Sequence, residues 1–339
     1  MCHRQLNISL LAIIWVIIAI ATSCKQTNRF HIDSFQETVD VRLHRFDLDF
    51  IALDTADIDG SLVKLAESYP DFYPLFMSNI LMLHPEDSIN NAQQIKTFLS
   101  DSVFMEVNQK VIEETTNLTD TKADLSLAFN YLKHYFPDKD LFEIYLFISG
   151  FNQHFLLTDS IIAVGSDLYL GAEYEIYNAI THEYLMPNMR KEMLASDIIQ
   201  HLLAEFFPYQ GKAYVLGNML YEGKLLFLKE IIMPKSSAAM LIGYSHEDLQ
   251  WCKQYEKAIW STVVEEKHLF STSRLLINQF VHPAPFTSPV STESPGRLGS
   301  WIGWQIIKSY MQNNPDISLQ ALMADNDYQT ILEKSNYRP

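Results

Sequence analysis

ASDIIQHLLAEF, residues 195–206, is followed past Pro208 and Gly211 by KAYVLGNMLYEGKLLFLKEIIM, residues 212–233. In the first segment Ile198, Ile199, Leu202, Leu203 and Phe206 recur at helical spacing and form one apolar arc. The second reads as another long helix, stopped by Pro234. Outward on the C-terminal side, helices are expected over 245–268 and 298–312, separated by HPAPFTSPVSTESPG (282–296), whose four prolines make it an extended loop. On the N-terminal side, the apolar and aromatic run FEIYLFIS (142–149) and residues 160–165 have strand character, with a bend at 150–152 between them. Thr119 and Asp120 are candidate caps for a helix carrying Leu125, Ala128, Leu132, Tyr135 and Phe136, which Pro137 ends. Residues 61–102 are helical in pattern, broken at Pro70, Pro74 and Pro85, and VDVRLHRFDLDFIAL (39–53) alternates as an early strand. Two strands between helix sets predict an α+β protein, mainly helical with a small sheet. One domain is expected over 39–339, with an N-terminal strand and helices at 39–140 and a core at 141–339.

The 339 residues are 48% apolar and 12% aromatic, enough buried surface to exclude a disordered chain. With 25 Lys and Arg against 41 Asp and Glu, a net charge of −16 argues against nucleic acid as a partner, because phosphate binding needs clustered basic residues. The first 23 residues read as a signal peptide: Arg4 precedes an apolar run from Leu10 to Ala21. That run is shorter than the roughly 20 residues of a spanning helix, and it ends in Ala21, Thr22 and Ser23 before Cys24. This is the arrangement of a bacterial lipobox, with Ala21 where Leu is usual. Its expected product is a lipoprotein acylated at Cys24, with residues 24–38 as a tether, held to the inner or outer membrane by its palmitate-type chains and facing the periplasm. The competing reading is an uncleaved N-terminal anchor. With Cys2 removed and Cys24 acylated, only Cys252 remains, and a buried structural thiol is expected there.

GxSxG elbows, Walker A loops and strand-borne GxGxxG motifs are absent. DTADIDG (54–60) lacks two carboxylates of a calcium loop, at Thr55 and Ala66, and reads as a solvated loop. The candidate metal set is His201 and Glu205, one helical turn apart, with Glu222 on the next helix. Gluzincin peptidases use HExxH plus a downstream Glu. Here the helix reads HLLAE, and the general base is replaced by Leu202, which accepts no proton. The competing reading makes His201 and Glu205 the polar edge of an amphipathic helix and pairs Glu222 with a lysine such as Lys229. HEYLM (182–186) keeps only half of the motif and is followed by Pro187. Gly299 and Gly303, four apart, suit close helix packing, and Arg297 suits a buried carboxylate such as Asp167 or Glu222. Trp251, Trp260, Trp301 and Trp304 are either core or a platform for peptide or glycan.

The segments SGFNQ (149–153), GSDLYLG (165–171), MLYEGKLLFL (219–228), YSHEDLQWC (244–252), SPGRLGSWIGWQI (294–306) and ILEKSNYRP (331–339) resemble, in order, those of the gliding motility lipoprotein family GldB of Bacteroidota. Within them Asp167, Gly223, Arg297 and Gly299 are expected to be structural motif residues. The resemblance implies an envelope lipoprotein with other envelope or motility proteins as partners. It also implies a distant similarity to predicted zinc-dependent proteases with a zincin-like fold, whose HExxH helix would fall at 197–205. Loss of the base at Leu202 and of the second histidine at Glu205 implies a degenerate, non-catalytic pseudo-protease. No cofactor is then expected. The alternative is a zinc-dependent metallohydrolase using His201, Glu205 and Glu222.

Overall fold

Strands β2 (Glu143–Phe147) and β4 (Ile161–Gly165) are buried along nearly their whole length, as parallel strands covered on both faces must be. The computed structural model describes residues 29–83 and 88–339. Residues 37–339 form one compact unit, and residues 29–36, assigned to the preceding unit, are turns and bends. The expected signal peptide and the expected acylation site, Cys24, lie outside the described residues. The sheet has the order β1-β2-β4-β3. β1 (Leu43–His44) and β4 flank β2 in parallel, and β3 (Phe155–Leu157) is antiparallel to β4 at the edge. The structure is mainly helical with this one small sheet, an α+β arrangement.

The early strand is shorter than expected. Of 39–53 only Leu43 and His44 pair in the sheet, and helix α1 (Phe46–Ile51) follows. Phe46 and Phe50 satisfy alternation and i,i+4 spacing equally, and their aromatic partners select the helix. Phe46 packs 4.7 Å from Phe76 and 5.0 Å from Phe72, ring centre to ring centre, and Phe72 stacks on Tyr145 of β2 at 4.6 Å. The buried Asp47 is held by two 2.9 Å hydrogen bonds from Arg45, which also donates to the Thr115 hydroxyl at 2.8 Å. In the DTADIDG run, Asp57 caps helix α2 (Ile58–Ser68) by accepting from the Gly60 amide.

Helices α3 (Ser88–Ser100), α4 (Ser102–Thr115) and α5 (Thr119–Tyr135) complete the N-terminal half. Thr119 and Asp120 lie inside the first turn of α5 rather than capping it, because the helix begins after Leu118, and the Asn117 side chain accepts from the Thr119 amide. The C-terminal half contains α6 (Leu194–Phe206), α7 (Val215–Ile232), α8 (Ala238–Ile242), α9 (His246–Glu265), α10 (Arg274–Val281), α11 (Leu298–Asn313), α12 (Leu319–Ala324) and α13 (Tyr328–Ser335). Ser245 caps α9 in a reciprocal capping box with Asp248.

The central contact is the crossing of α7 and α11. A Cβ added at Gly223 would lie 2.3 Å from the Gly303 carbonyl carbon, and one added at Gly303 would lie 1.8 Å from the Met219 oxygen. Two glycines face each other so that the backbones touch. Gly299 presses on Phe280 and Met219 in the same way. Close packing, the expected use of Gly299 and Gly303, is what the structure shows. Trp301 and Trp304 are core residues, whereas Trp251 and Trp260 are half-buried beside Tyr255 and Tyr337. Cys252 is a fully buried free thiol, pushed by burial up to about 12.

A candidate functional site between helices α6 and α7

Asp197, Gln200 and His201 occupy one face of α6, at i, i+3 and i+4. Opposite them α7 contributes Glu222 and Lys229, about 10 Å apart along the helix at 1.5 Å per residue. Arg297, in left-handed backbone with φ 59° just before α11, and the start of β3 close the sides. Together they line a half-open cavity of about 540 Å³. Its remaining wall is largely apolar, with Leu185, Met189, Met193 and Met240 prominent.

His201 donates from Nδ1 to the Asp197 carbonyl oxygen at 2.9 Å, since a carbonyl can only accept. In the neutral ring the lone pair is therefore on Nε2. Burial lowers the pKa of His201 and favours that neutral form, and the ring stacks on Phe155 with centres 3.6 Å apart. His154 is also shifted down, by burial and then by His201. Asp197 accepts from the Tyr169 hydroxyl at 3.1 Å; burial pushes its carboxyl up, and Lys229 opposes the shift. Lys229 donates to the Leu241 carbonyl at 2.9 Å, with Gln200 at 3.5 Å, and burial pulls its ammonium down to about 7 against Asp197 and Glu222. Glu222 is pushed up by burial, with Arg297 as the main counterweight. The Arg297 Nη2 to Glu222 Oε2 distance is 3.8 Å, Nη1 donates to the Ile242 carbonyl at 3.0 Å, and Nε is buried without a hydrogen-bond partner.

The three candidate metal ligands do not assemble. His201 and Glu222 face the cavity, but Glu205 is exposed and outside it. The chamber lies on the N-terminal side of the His201 turn, so the carboxylate one turn before the histidine reaches it, and the one a turn after does not. Among the described residues no group of three or more His, Cys, Asp and Glu side chains is placed to hold a metal ion. With Glu222 beside Arg297, the residues present do not fit a three-ligand zinc site. Leu202 is wholly buried in the core. The half-motif 182–186 straddles the start of a 3-10 segment, Glu183–Asn188, with the extended His182 just before it, and Leu185 reaches the wall from it.

Asp197 and Arg297 complete the chamber, but their places in it are not apparent from spacing alone. The visible signal for Asp197 was its position four residues before His201. Of the two carboxylates proposed for Arg297, Glu222 is the partner. Asp167 is instead fully buried, accepting from the Ser149 amide and hydroxyl, each at 2.9 Å, and from the Phe151 amide at 2.8 Å. It thereby ties the SGFNQ turn to the GSDLYLG segment. The Gly150 and Phe151 turn has φ of 61° and 62°, so the carboxylate is part of what holds a left-handed bend.

Among the described residues, no helix is long and apolar enough to cross a membrane. No curated protein and no solved structure shows significant similarity to the chain. The sequence matches the family described as gliding motility protein GldB over residues 27–339, nearly its whole length, and the chain therefore belongs to that family.

Proposed function

We propose that the protein is a membrane-tethered component of the cell envelope that acts through contacts with other envelope or motility proteins and catalyses no reaction. In this reading Cys24 carries the lipid, the body faces the periplasm from the inner or outer membrane, and the C-terminal half is a degenerate zincin-like domain. The observation that carries it is the position of Leu202: fully buried among apolar side chains, it stands where a metallopeptidase needs a general base. The exposed position of Glu205 and the engagement of Glu222 by Arg297 support the same reading over a zinc-dependent metallohydrolase.

The reading is tested by a clean deletion, scored for surface spreading, envelope integrity and protein secretion. A defect in one or more is expected; wild-type behaviour in all three refutes the proposal. The lipid anchor is tested separately by labelling with an alkyne palmitate, which should mark the wild type and not Cys24→Ala. Protein purified without chelator should contain less than about a tenth of an equivalent of zinc, where a structural or catalytic site would retain nearly one.

A further inference from the structure

The cavity between α6 and α7 presents charged groups of both signs whose hydrogen-bonding capacity the protein fills only in part. Asp197 accepts one hydrogen bond, at Oδ2, and the nearest cation to Glu222 is 3.8 Å away. On the cationic side, the Arg297 Nε is buried with no partner, and Lys229 has two acceptors for its three protons. A simple anion entering this chamber would be repelled by Asp197 and Glu222, and a simple cation by Lys229 and Arg297. A molecule carrying both charges a few ångströms apart is complementary to the arrangement. Three methionines, Met189, Met193 and Met240, supply an adaptable apolar wall beside the charged groups.

We propose that this cavity binds a zwitterionic amino acid or dipeptide with an apolar side chain, its carboxylate towards Arg297 and Lys229 and its ammonium towards Asp197 and Glu222. The volume, about 540 Å³, lies within the range of about 300–1,000 Å³ typical of small-molecule sites. A second cavity of about 140 Å³ shares Leu185, Asn188, Gly243, Pro283 and Arg297 with the first and so adjoins it on the Arg297 side. Burial pushes the two carboxyls up and the ammonium down, against the pull of their charged neighbours. A ligand bringing both signs adds close partners to those groups. The inference goes beyond the tethered, non-catalytic reading, and its failure leaves that reading intact.

The full chain, purified in detergent, is titrated calorimetrically with L-methionine and with methionyl-methionine, then with N-acetylmethionine and methioninamide. At least one zwitterion should give saturable heat below about 10 mM, and each analogue lacking one charge should bind about tenfold or more weakly, the equivalent of one charged hydrogen bond. Glu222→Gln, which keeps the side-chain shape, should weaken the better zwitterion by a similar factor while melting as a folded protein. No saturable heat from either zwitterion overturns the proposal, as does a loss smaller than tenfold in either blocked analogue. The analogues test the idea without any variant, so it stays decidable if Glu222→Gln fails to fold.

Discussion

Gly303→Ala tests whether the α7 and α11 crossing holds the C-terminal half together. The added methyl would lie 1.8 Å from the Met219 carbonyl oxygen and 2.5 Å from its carbonyl carbon, where ordinary contact begins at 3.4 Å. Both obstacles are backbone, so no rotamer change relieves them, and α7 must recede by about 1.6 Å in a core packed at crystal-like density. Gly223, on α7, presses in turn on the Gly303 carbonyl, so the pair cannot separate at one point alone. Such a separation forfeits dispersion contacts along the whole crossing, and the expected destabilisation is about 3 kcal/mol or more, at the upper end of overpacking costs. At roughly 2 °C per kcal/mol for a domain of this size, melting should fall by about 6 °C. Thermal unfolding followed by circular dichroism measures it. Gly217→Ala is the control: its methyl would lie 2.5 Å from the Tyr209 hydroxyl, the tip of a side chain that can swing aside. With alanine's helix preference of about 1 kcal/mol in its favour, that variant should melt close to the wild type. If Gly303→Ala melts within about 2 °C of the wild type, or Gly217→Ala is equally damaging, the backbone-contact argument is wrong.

Leu202→Glu, which recreates the general base of HExxH in sequence, should yield no peptidase activity and should destabilise the fold by about 4 kcal/mol or more, because it puts a carboxylate into a fully apolar position. A variant with wild-type melting contradicts this. Lys229, lowered to about 7 against an ordinary value of 10.5, carries a penalty that is complete below pH 7 and relieved as pH rises towards 10.5, because over that window the unfolded chain binds the extra proton. The stability of the wild type minus that of Lys229→Met should therefore rise by about 1.4 kcal/mol per pH unit between pH 7.5 and 9.5, read from urea titrations; a flat difference refutes it. Cys252, fully buried and raised to about 12, should remain unreactive towards a thiol reagent at pH 8 and react stoichiometrically in denaturant.

Much of the local architecture follows directly from the sequence. Apolar spacing and proline stops place α6, α7, α9 and α11 to within a few residues, because both signals act over a single helical turn. The β2 and β4 segments are equally legible, since strands covered on both faces must be continuously apolar. The small residues at 299 and 303 indicate a close helix contact, although not which helix fills it. The 39–53 segment shows the limit: Phe46 and Phe50 fit two periodicities, and only Phe72, Phe76 and Tyr145, all distant in sequence, select the helix.

The candidate site divides along the same line. Sequence determined that a histidine and carboxylates sit on neighbouring helices, and that the residue after His201, the place of Glu in an HExxH motif, is a leucine. Which of those carboxylates share a chamber depends on the side of the His201 turn that meets α7, and periodicity carries no information about that. The crossing of α6 with α7 admits Asp197 and excludes Glu205, the docking of α11 brings Arg297 to Glu222, and α8 gives Lys229 the carbonyl it bonds. Spacing along a helix fixes which residues can share a face; only the packing of distant segments fixes what that face meets.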